Sequence, residues 1–354
     1  MTTNITDSVP RLKRWIPRLR GKRIGVLGDL MLDRYLWGTA TRLSPEAAVP
    51  VVDFVEQSEC LGGAGNVAAN LAALDAKVEA FGVMGNDEAG RAVRKCLRAA
   101  VINDRGVLAD SKRVTTVKTR IIARHQQVVR IDHERHEPLR SETEEKLLHR
   151  LFTALKRLDA LVLSDYDKGL VTDAFADRAL SAAHQLRVPV FVKPKTSRLY
   201  AYRGARAIVC NAKEAGFFVT RTLGSEKSFE EAGRALLAHF GCSAVVITRT
   251  EKGLSVFEEA SLRHIHIPAT SFEVTYARVG RPRIERGSTG RQVFDVTGAG
   301  DTVLSVLALA VAAGASLADA AALANTAAGV VVGKLGTATV SPEELAHALD
   351  DVRV

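Results

Sequence analysis

Aromatic residues make up only 5% of the 354-residue chain, and no aromatic–basic stacking pattern or long Lys/Arg block accompanies them. Without stacking platforms and a basic stripe to track a backbone, a nucleic-acid partner is not expected. Cysteine is scarce too. Cys60, Cys96, Cys210 and Cys242 stand far apart with no CxxC spacing, and there is no HxxxH pair. Zinc sites and a disulfide framework are disfavoured, which fits a reducing cytoplasm. Long apolar runs are also missing. The longest, after Asp301, falls short of the roughly 20 residues needed to cross a bilayer. The basic N-terminus (Arg11, Lys13, Arg14, Arg18, Arg20) is not followed by the apolar stretch of a signal peptide. The chain is therefore read as soluble and cytoplasmic, with no membrane partner. It shows no internal repeat or heptad.

What is present is 47% hydrophobic content, mostly Ala, Val and Leu, which suits helices packed on a parallel sheet. The net charge of +9 favours anionic partners, sugar phosphates and ATP among them, although a solvated basic surface gives the same count.

The most informative stretch is Asp295-Val296-Thr297-Gly298-Ala299-Gly300-Asp301-Thr302, with the apolar run 303–313 behind it. The run reads as a buried helix. Small residues before its first turn let the backbone approach a ligand, and the free N–H groups with the helix dipole favour an anion. Asp301 stands beside that place as a possible general base. An anion cradle next to a base is the minimum kit for moving a phosphoryl group onto a hydroxyl. The competing reading is that Asp301 only caps the helix and the glycines only turn the chain.

Residues 1–21 read as a polar, basic extension. The first strand, 23–27, ends in Gly28-Asp29, followed by Asp33. Ligands gather at the carboxyl ends of strands in open α/β sheets, so Asp29 and Asp33 are candidates for sugar hydroxyls, with a turn cap as the alternative for Asp29. Residues 34–55 and 114–131 are strand-like and can pair into a small separate sheet, a lid. Lys118, Arg120, Ile122 and Arg124 share parity and one face, so Arg120 and Arg124 offer fixed cations to a substrate phosphate or form an ordinary solvated strand face. Gly62-Gly63-Ala64-Gly65-Asn66 opens a helix. It matches the dinucleotide fingerprint only loosely, because the preceding strand is read to end at Val55.

From Ser141 helices and strands alternate, with polar residues at the strand ends: Ser164-Asp165-Tyr166, Lys193-Pro194-Lys195, Asn211-x-x-Glu214 and Thr248-Arg249. This alternation means parallel βαβ units. Residues 270–292 read as an exposed or disordered loop. Gly329 to Lys334 fails as a P-loop, since Leu335 stands where Ser or Thr would hold Mg²⁺.

Taken together, Gly28-Asp29, Gly62-Gly63…Asn66, Asn211-x-x-Glu214, Thr248-Arg249…Gly253 and the stretch from Asp295 to Thr302 resemble the ribokinase/PfkB family of carbohydrate kinases over nearly the whole chain. Within it, residues 28–35, Ser44-Pro45-Glu46-Ala47, Ser164-Asp165-Tyr166 with Lys168-Gly169, and the tail 327–342 look like the heptose-7-phosphate kinases of lipopolysaccharide inner-core synthesis.

The resemblance implies an α/β, ribokinase-like fold: a mostly parallel sheet flanked by helices, with a small β lid that often builds a homodimer. It implies an alcohol-group phosphotransferase that uses ATP and Mg²⁺ on D-glycero-D-manno-heptose 7-phosphate at the anomeric O1. Asp301 would be the base and the amides of Gly298, Ala299 and Gly300 the anion hole. Asp29, Asp33, Gly63, Asn66 and Asp165 would hold the sugar, and Arg120, Arg124 and Lys195 its phosphate. Asn211, Glu214, Thr248, Arg249, Gly253 and Asn325 would line the nucleotide, Glu214 meeting Mg²⁺ through water. Asp295 would help hold a monovalent cation such as K⁺. Residues 22–354 would form the kinase domain, and without an HxGH-type motif kinase activity alone is expected. The pattern has Asp-Pro-Lys where this chain has Lys193-Pro194-Lys195. The alternatives are another sugar kinase of the family, a dinucleotide-binding oxidoreductase, and a non-catalytic sugar-phosphate sensor.

Overall fold

The computed structural model describes residues 9–123, 126–198, 201–260, 263–269, 297–334 and 336–351. Two short helices come first, α1 (Val9–Lys13) and α2 (Ile16–Leu19). The expectation of a polar extension needs correcting here: Leu12, Trp15, Ile16 and Leu19 are buried in the main core. Lys13, Arg14 and Arg18, set between these four residues, mask an apolar face at helical spacing.

Strand β1 (Arg23–Gly28) enters the main sheet. The chain then leaves it for two long antiparallel strands, β2 (Leu30–Leu43) and β3 (Pro50–Gly63), before α3 (Ala64–Ala73). It returns through β4 (Lys77–Gly85), α4 (Glu88–Ala99) and β5 (Asn103–Asp110). A hairpin follows, β6 (Thr116–Ala123) and β7 (Gln126–His133).

Then come α5 (Ser141–Leu155), β8 (Ala160–Ser164), α6 (Asp173–Gln185), β9 (Val190–Lys193), β10 (Ala207–Asn211), α7 (Ala212–Phe218), α8 (Glu226–Phe240) and β11 (Ala244–Thr248). After β12 (Leu254–Glu258) and β13 (Arg263–Ile267), the chain closes with α9 (Ala299–Ala312), α10 (Leu317–Val331) and α11 (Pro342–Asp350). Residues 270–296 lie outside the described residues, and with them the expected loop at 270–292.

The main sheet runs β13-β12-β11-β10-β9-β8-β1-β4-β5. It is parallel from β11 to β5, with β12 and β13 antiparallel at one edge. The second sheet, β3-β2-β6-β7, is the lid. It differs from expectation in one respect: β3 does not end at Val55 but runs on to Gly63. Its middle is exposed on both faces, so it carries no alternating pattern, and pairing with β2 alone sets its length.

Helix α9 explains its own sequence. Every residue from Asp301 to Ala310 is buried, because α9 packs between α3, α10 and the strands β8, β9 and β10. A helix covered on all sides needs no polar stripe.

Candidate active site

The parallel register places the polar strand ends side by side. Gly28 pairs with Ser164 and Ser164 with Lys193, so Asp29, Asp165 and Lys193 emerge together at the carboxyl edge. Further along, Asn211 pairs with Thr248. Gly298 caps α9 with φ 85°, and a Cβ there would lie 2.6 Å from Asn66 Nδ2. Only glycine combines that turn with so close an approach. Ala299 and Gly300 form the first turn of α9, and Asp301 follows, 3% exposed.

Asp301 accepts from three side chains. Asn66 Nδ2 donates to Oδ2 at 2.9 Å, while Tyr166 Oη at 2.6 Å and Lys193 Nζ at 2.7 Å donate to Oδ1. Asn66 is held in turn. Its Oδ1 accepts from Asn70 Nδ2 at 3.2 Å, and Asn70 Oδ1 accepts from Thr302 Oγ1 at 2.9 Å. The web joins the starts of α3 and α9 and fixes the carboxylate's direction. Burial, with Asp301 beside it, pushes the Tyr166 phenol above its usual range, so it stays a donor. Burial also works against the Lys193 ammonium, but Asp301 and the Tyr166 oxygen outweigh it and the net shift is upward. Tyr166 and Asn70 carry no role in the sequence-based assignment; Lys193 enters it only as a departure from the family pattern, a cation that can alter the metal's waters or add a phosphate contact.

Asp29 is 3% exposed and accepts the Tyr166 N–H at 2.9 Å and the Lys168 N–H at 3.2 Å, both on Oδ2. Burial, then the neighbouring Asp165 charge, push it up to about 6 against the pull of those two donors and Arg113. Gly63, at the N-cap of α3 with φ 57°, presses its backbone on Asp29, leaving 2.6 Å between an added Cβ and the Asp29 carbonyl.

Four side chains are engaged differently from the sequence-based reading. Asp165 spends both oxygens on its own loop and on the segment that follows β9. Oδ1 accepts from Asp167 N at 2.7 Å, and Oδ2 accepts from Arg198 Nε at 3.1 Å and from the Tyr202 hydroxyl. It shapes the turn rather than presenting an oxygen to a sugar. Asp33 and Arg120 arrive as a buried ion pair, Nη1 to Oδ1 at 2.6 Å, instead of as separate sugar and phosphate ligands. Burial pushes Asp33 up against the pull of Arg120, and Asp301 nearby adds to the rise. Arg249 turns its guanidinium to Glu226, Ser255 and His266, 4.0 Å over the Phe229 ring, so only its backbone is left for the nucleotide.

On the nucleotide side, Asn211 and Glu214 form a reciprocal cap on α7. Glu214 N donates to Asn211 Oδ1 and Asn211 N to Glu214 Oε2, each at 2.9 Å. Thr248 ends β11, and the Gly253 carbonyl accepts from Arg249 N at 2.7 Å. Asn325 on α10 donates to the Pro268 carbonyl at 2.8 Å. Lys195 is half-buried, its Nζ 5.9 Å from the Tyr166 ring centroid. Arg124 and Asp295 lie outside the described residues.

The model of the pfkB family carbohydrate kinases matches residues 22–344. The chain belongs to that family. It is accordingly a phosphotransferase acting on an alcohol group of a sugar. Among relatives, it is 41% identical over 343 residues to the bifunctional protein HldE of Geotalea uraniireducens, covering 95% of this chain and 66% of that protein. It is 42% identical to HldE of Geobacter sulfurreducens, covering 92% and 62%. The chain thus spans slightly less than two thirds of these curated relatives.

Among solved structures, phosphofructokinase-2 from Escherichia coli in complex with substrates and products superposes with a TM-score of 0.73 at 17% identity, covering 93% of this chain and 98% of that one. Ribokinase of Arabidopsis thaliana complexed with ribose and ATP gives 0.69 at 17%, covering 94% and 100%. These likenesses show the ribokinase-like fold. The dinucleotide-binding alternative falls away: Gly63 to Gly65 follow a lid strand, not a strand of the parallel sheet.

Proposed function

We propose that the chain phosphorylates D-glycero-D-manno-heptose 7-phosphate at its anomeric oxygen with ATP, giving the 1,7-bisphosphate for ADP-heptose and lipopolysaccharide inner-core synthesis in the cytoplasm. The observation that carries the reading is Asp301, a buried carboxylate one residue beyond the Gly298–Gly300 turn at the start of α9. Its Oδ atoms take the proton of the sugar hydroxyl. The new O–P bond forms as the bond from the γ-phosphorus to the β-bridging oxygen breaks, and ADP leaves with that electron pair. The amides at Gly298, Ala299 and Gly300 stabilise the charge on the transferring group. Asp29 Oδ1, the oxygen not taken by the Tyr166 and Lys168 amides, accepts from a sugar hydroxyl. Lys195 and Arg124 meet the 7-phosphate. The heptose assignment is supported by the heptose-kinase motifs and by the HldE relatives; another sugar kinase of the same family is the second reading.

Among the described residues no group of three or more His, Cys, Asp or Glu could hold a metal ion. That donor set fits Mg²⁺ carried by the ATP phosphates, with Glu214 meeting its waters, better than a protein cage. Bound there, Mg²⁺ neutralises phosphate charge. A K⁺ ion beside Asp295 belongs to the same proposal. Leu43, Phe54, Val55 and Ile131 on the lid are exposed, which fits a homodimer formed through it. Among the described residues no helix is long and apolar enough to cross a membrane.

The test is ADP release across a panel of sugar phosphates. The heptose 7-phosphate is expected to give the highest kcat/KM, by at least about tenfold. A higher value for fructose 6-phosphate or free ribose would replace the heptose assignment with the second reading.

A further inference from the structure

Lys193 is the last residue of β9, beside Ser164 in the register. Its ammonium has three N–H donors. One goes to Asp301 Oδ1 at 2.7 Å and one to Tyr166 Oη at 2.9 Å, with Nζ 4.7 Å from the Tyr166 ring centroid. The third is left over. The first turn of α9 lies beside the ammonium: among the described residues outside that helix's own backbone, a Cβ added at Gly300 would meet one neighbour within 4 Å, Lys193 Nζ at 3.7 Å. The lysine therefore stands next to the backbone at the start of α9.

Holding Asp301 in place does not call for a charge there. Asn66 already fixes Oδ2 and Tyr166 already donates to Oδ1, both as neutral groups. A cation brought into a buried site costs desolvation, and one carboxylate offsets that only in part. Two positive features, the ammonium and the start of α9, converge on one small volume, so the occupant that suits it is an anion.

We propose that Lys193 is a catalytic residue whose ammonium touches an equatorial oxygen of the transferring phosphoryl group while it keeps its contact with Asp301. This assignment rests on the kinase reading above. During transfer the sugar proton passes to Asp301, the sugar oxygen bonds to the γ-phosphorus, and ADP departs. Lys193 gives up no proton; it supplies fixed charge where negative charge is redistributed.

The experiment compares wild type, Lys193→Met and Lys193→Arg in steady-state turnover. It also measures binding of ADP with aluminium fluoride, a mimic of the transferring group, in the presence of the sugar phosphate. Lys193→Met is expected to lower kcat by about 10²–10³-fold, with KM for ATP within about threefold. It is expected to weaken ADP–aluminium fluoride by a similar factor while leaving ADP alone unchanged. Lys193→Arg is expected to recover at least about tenfold of both losses. A lysine that only braced Asp301 would leave the mimic's affinity intact, and that result overturns the assignment. If Lys193→Met does not fold, Lys193→Ala assayed with and without added ethylammonium serves instead: rescue by the amine supports the assignment and its absence opposes it. Wild-type turnover with an unimpaired Lys193→Met removes this assignment alone. A wild type that releases no ADP with any sugar phosphate removes the kinase reading itself.

Discussion

Asn66 Nδ2 lies 2.9 Å from Asp301 Oδ2, and this one hydrogen bond ties the first turn of α3 to the first turn of α9. The lid strand β3 runs straight into α3 at Ala64, so the lid and the base are mechanically close. Truncating Asn66 to Ala removes the donor and leaves Asn70 without one of its acceptors. Asn66→Ala is expected to cost about 1–3 kcal/mol of stability and to lower kcat more than about tenfold with ATP KM little changed. Denaturant unfolding and steady-state kinetics check both. An unchanged kcat would mean that Asp301 keeps its direction without Asn66.

Asp29 gives a pH signature. Its carboxyl is raised from 3.8 to about 6 in the folded chain, so the folded state holds the proton to higher pH than the unfolded state does. Folding stability therefore falls as pH rises through that window, and the charged form costs about 3 kcal/mol above it, at roughly 1.4 kcal/mol per unit. Asp29→Asn relieves that cost. At pH 7.5 its Tm is expected to exceed the wild-type value, the difference shrinking to nothing below about pH 4. Sugar KM is expected to rise by more than about tenfold. A Tm difference independent of pH would contradict the buried-charge account.

The Asp33–Arg120 pair predicts strong coupling. Each group is buried, and removing Asp33 strips a carboxylate from a guanidinium deep in the lid. Asp33→Ala and Arg120→Met are each expected to cost about 3 kcal/mol or more, and the double variant less than their sum. Unfolding of the three variants by urea provides the cycle. Additive losses would show that the two side chains act independently.

The lid carries its own prediction. Phe54 and Val55 are 64% and 65% exposed, neighbours on a strand whose edge is unpaired in the sheet order. Light scattering at micromolar concentration is expected to show a dimer for wild type and a monomer for Phe54→Arg. A monomeric wild type would rule out assembly through the lid under those conditions.

How legible the site was in the sequence follows from distance along the chain. Gly298 to Asp301 could be read because a cradle and its base lie within one turn. Asp29, Asn211 and Glu214 could be read because each lies at a strand end or within three residues of one. The sequence-based reading also anticipated the alternation of β8 to β11 with helices and the buried α9, since both follow from local patterns. The sequence alone gives Lys193 and Tyr166 no site role: they meet Asp301 across 108 and 135 positions, brought there by the adjacency of β8 and β9 and the packing of α9 on both. Arg249 misled for the same reason. Glu226, 23 positions earlier, claims its guanidinium, and nothing local announces that. The full length of β3 is not legible because a ribbon exposed on both faces has no period to detect.

The most direct test is kcat for Asp301→Asn with ATP and the heptose 7-phosphate, alongside ATP affinity. The account predicts a fall of at least about 10³-fold in kcat with ATP binding changed by no more than about threefold. Turnover within about tenfold of wild type would contradict the claim that this carboxylate takes the sugar proton.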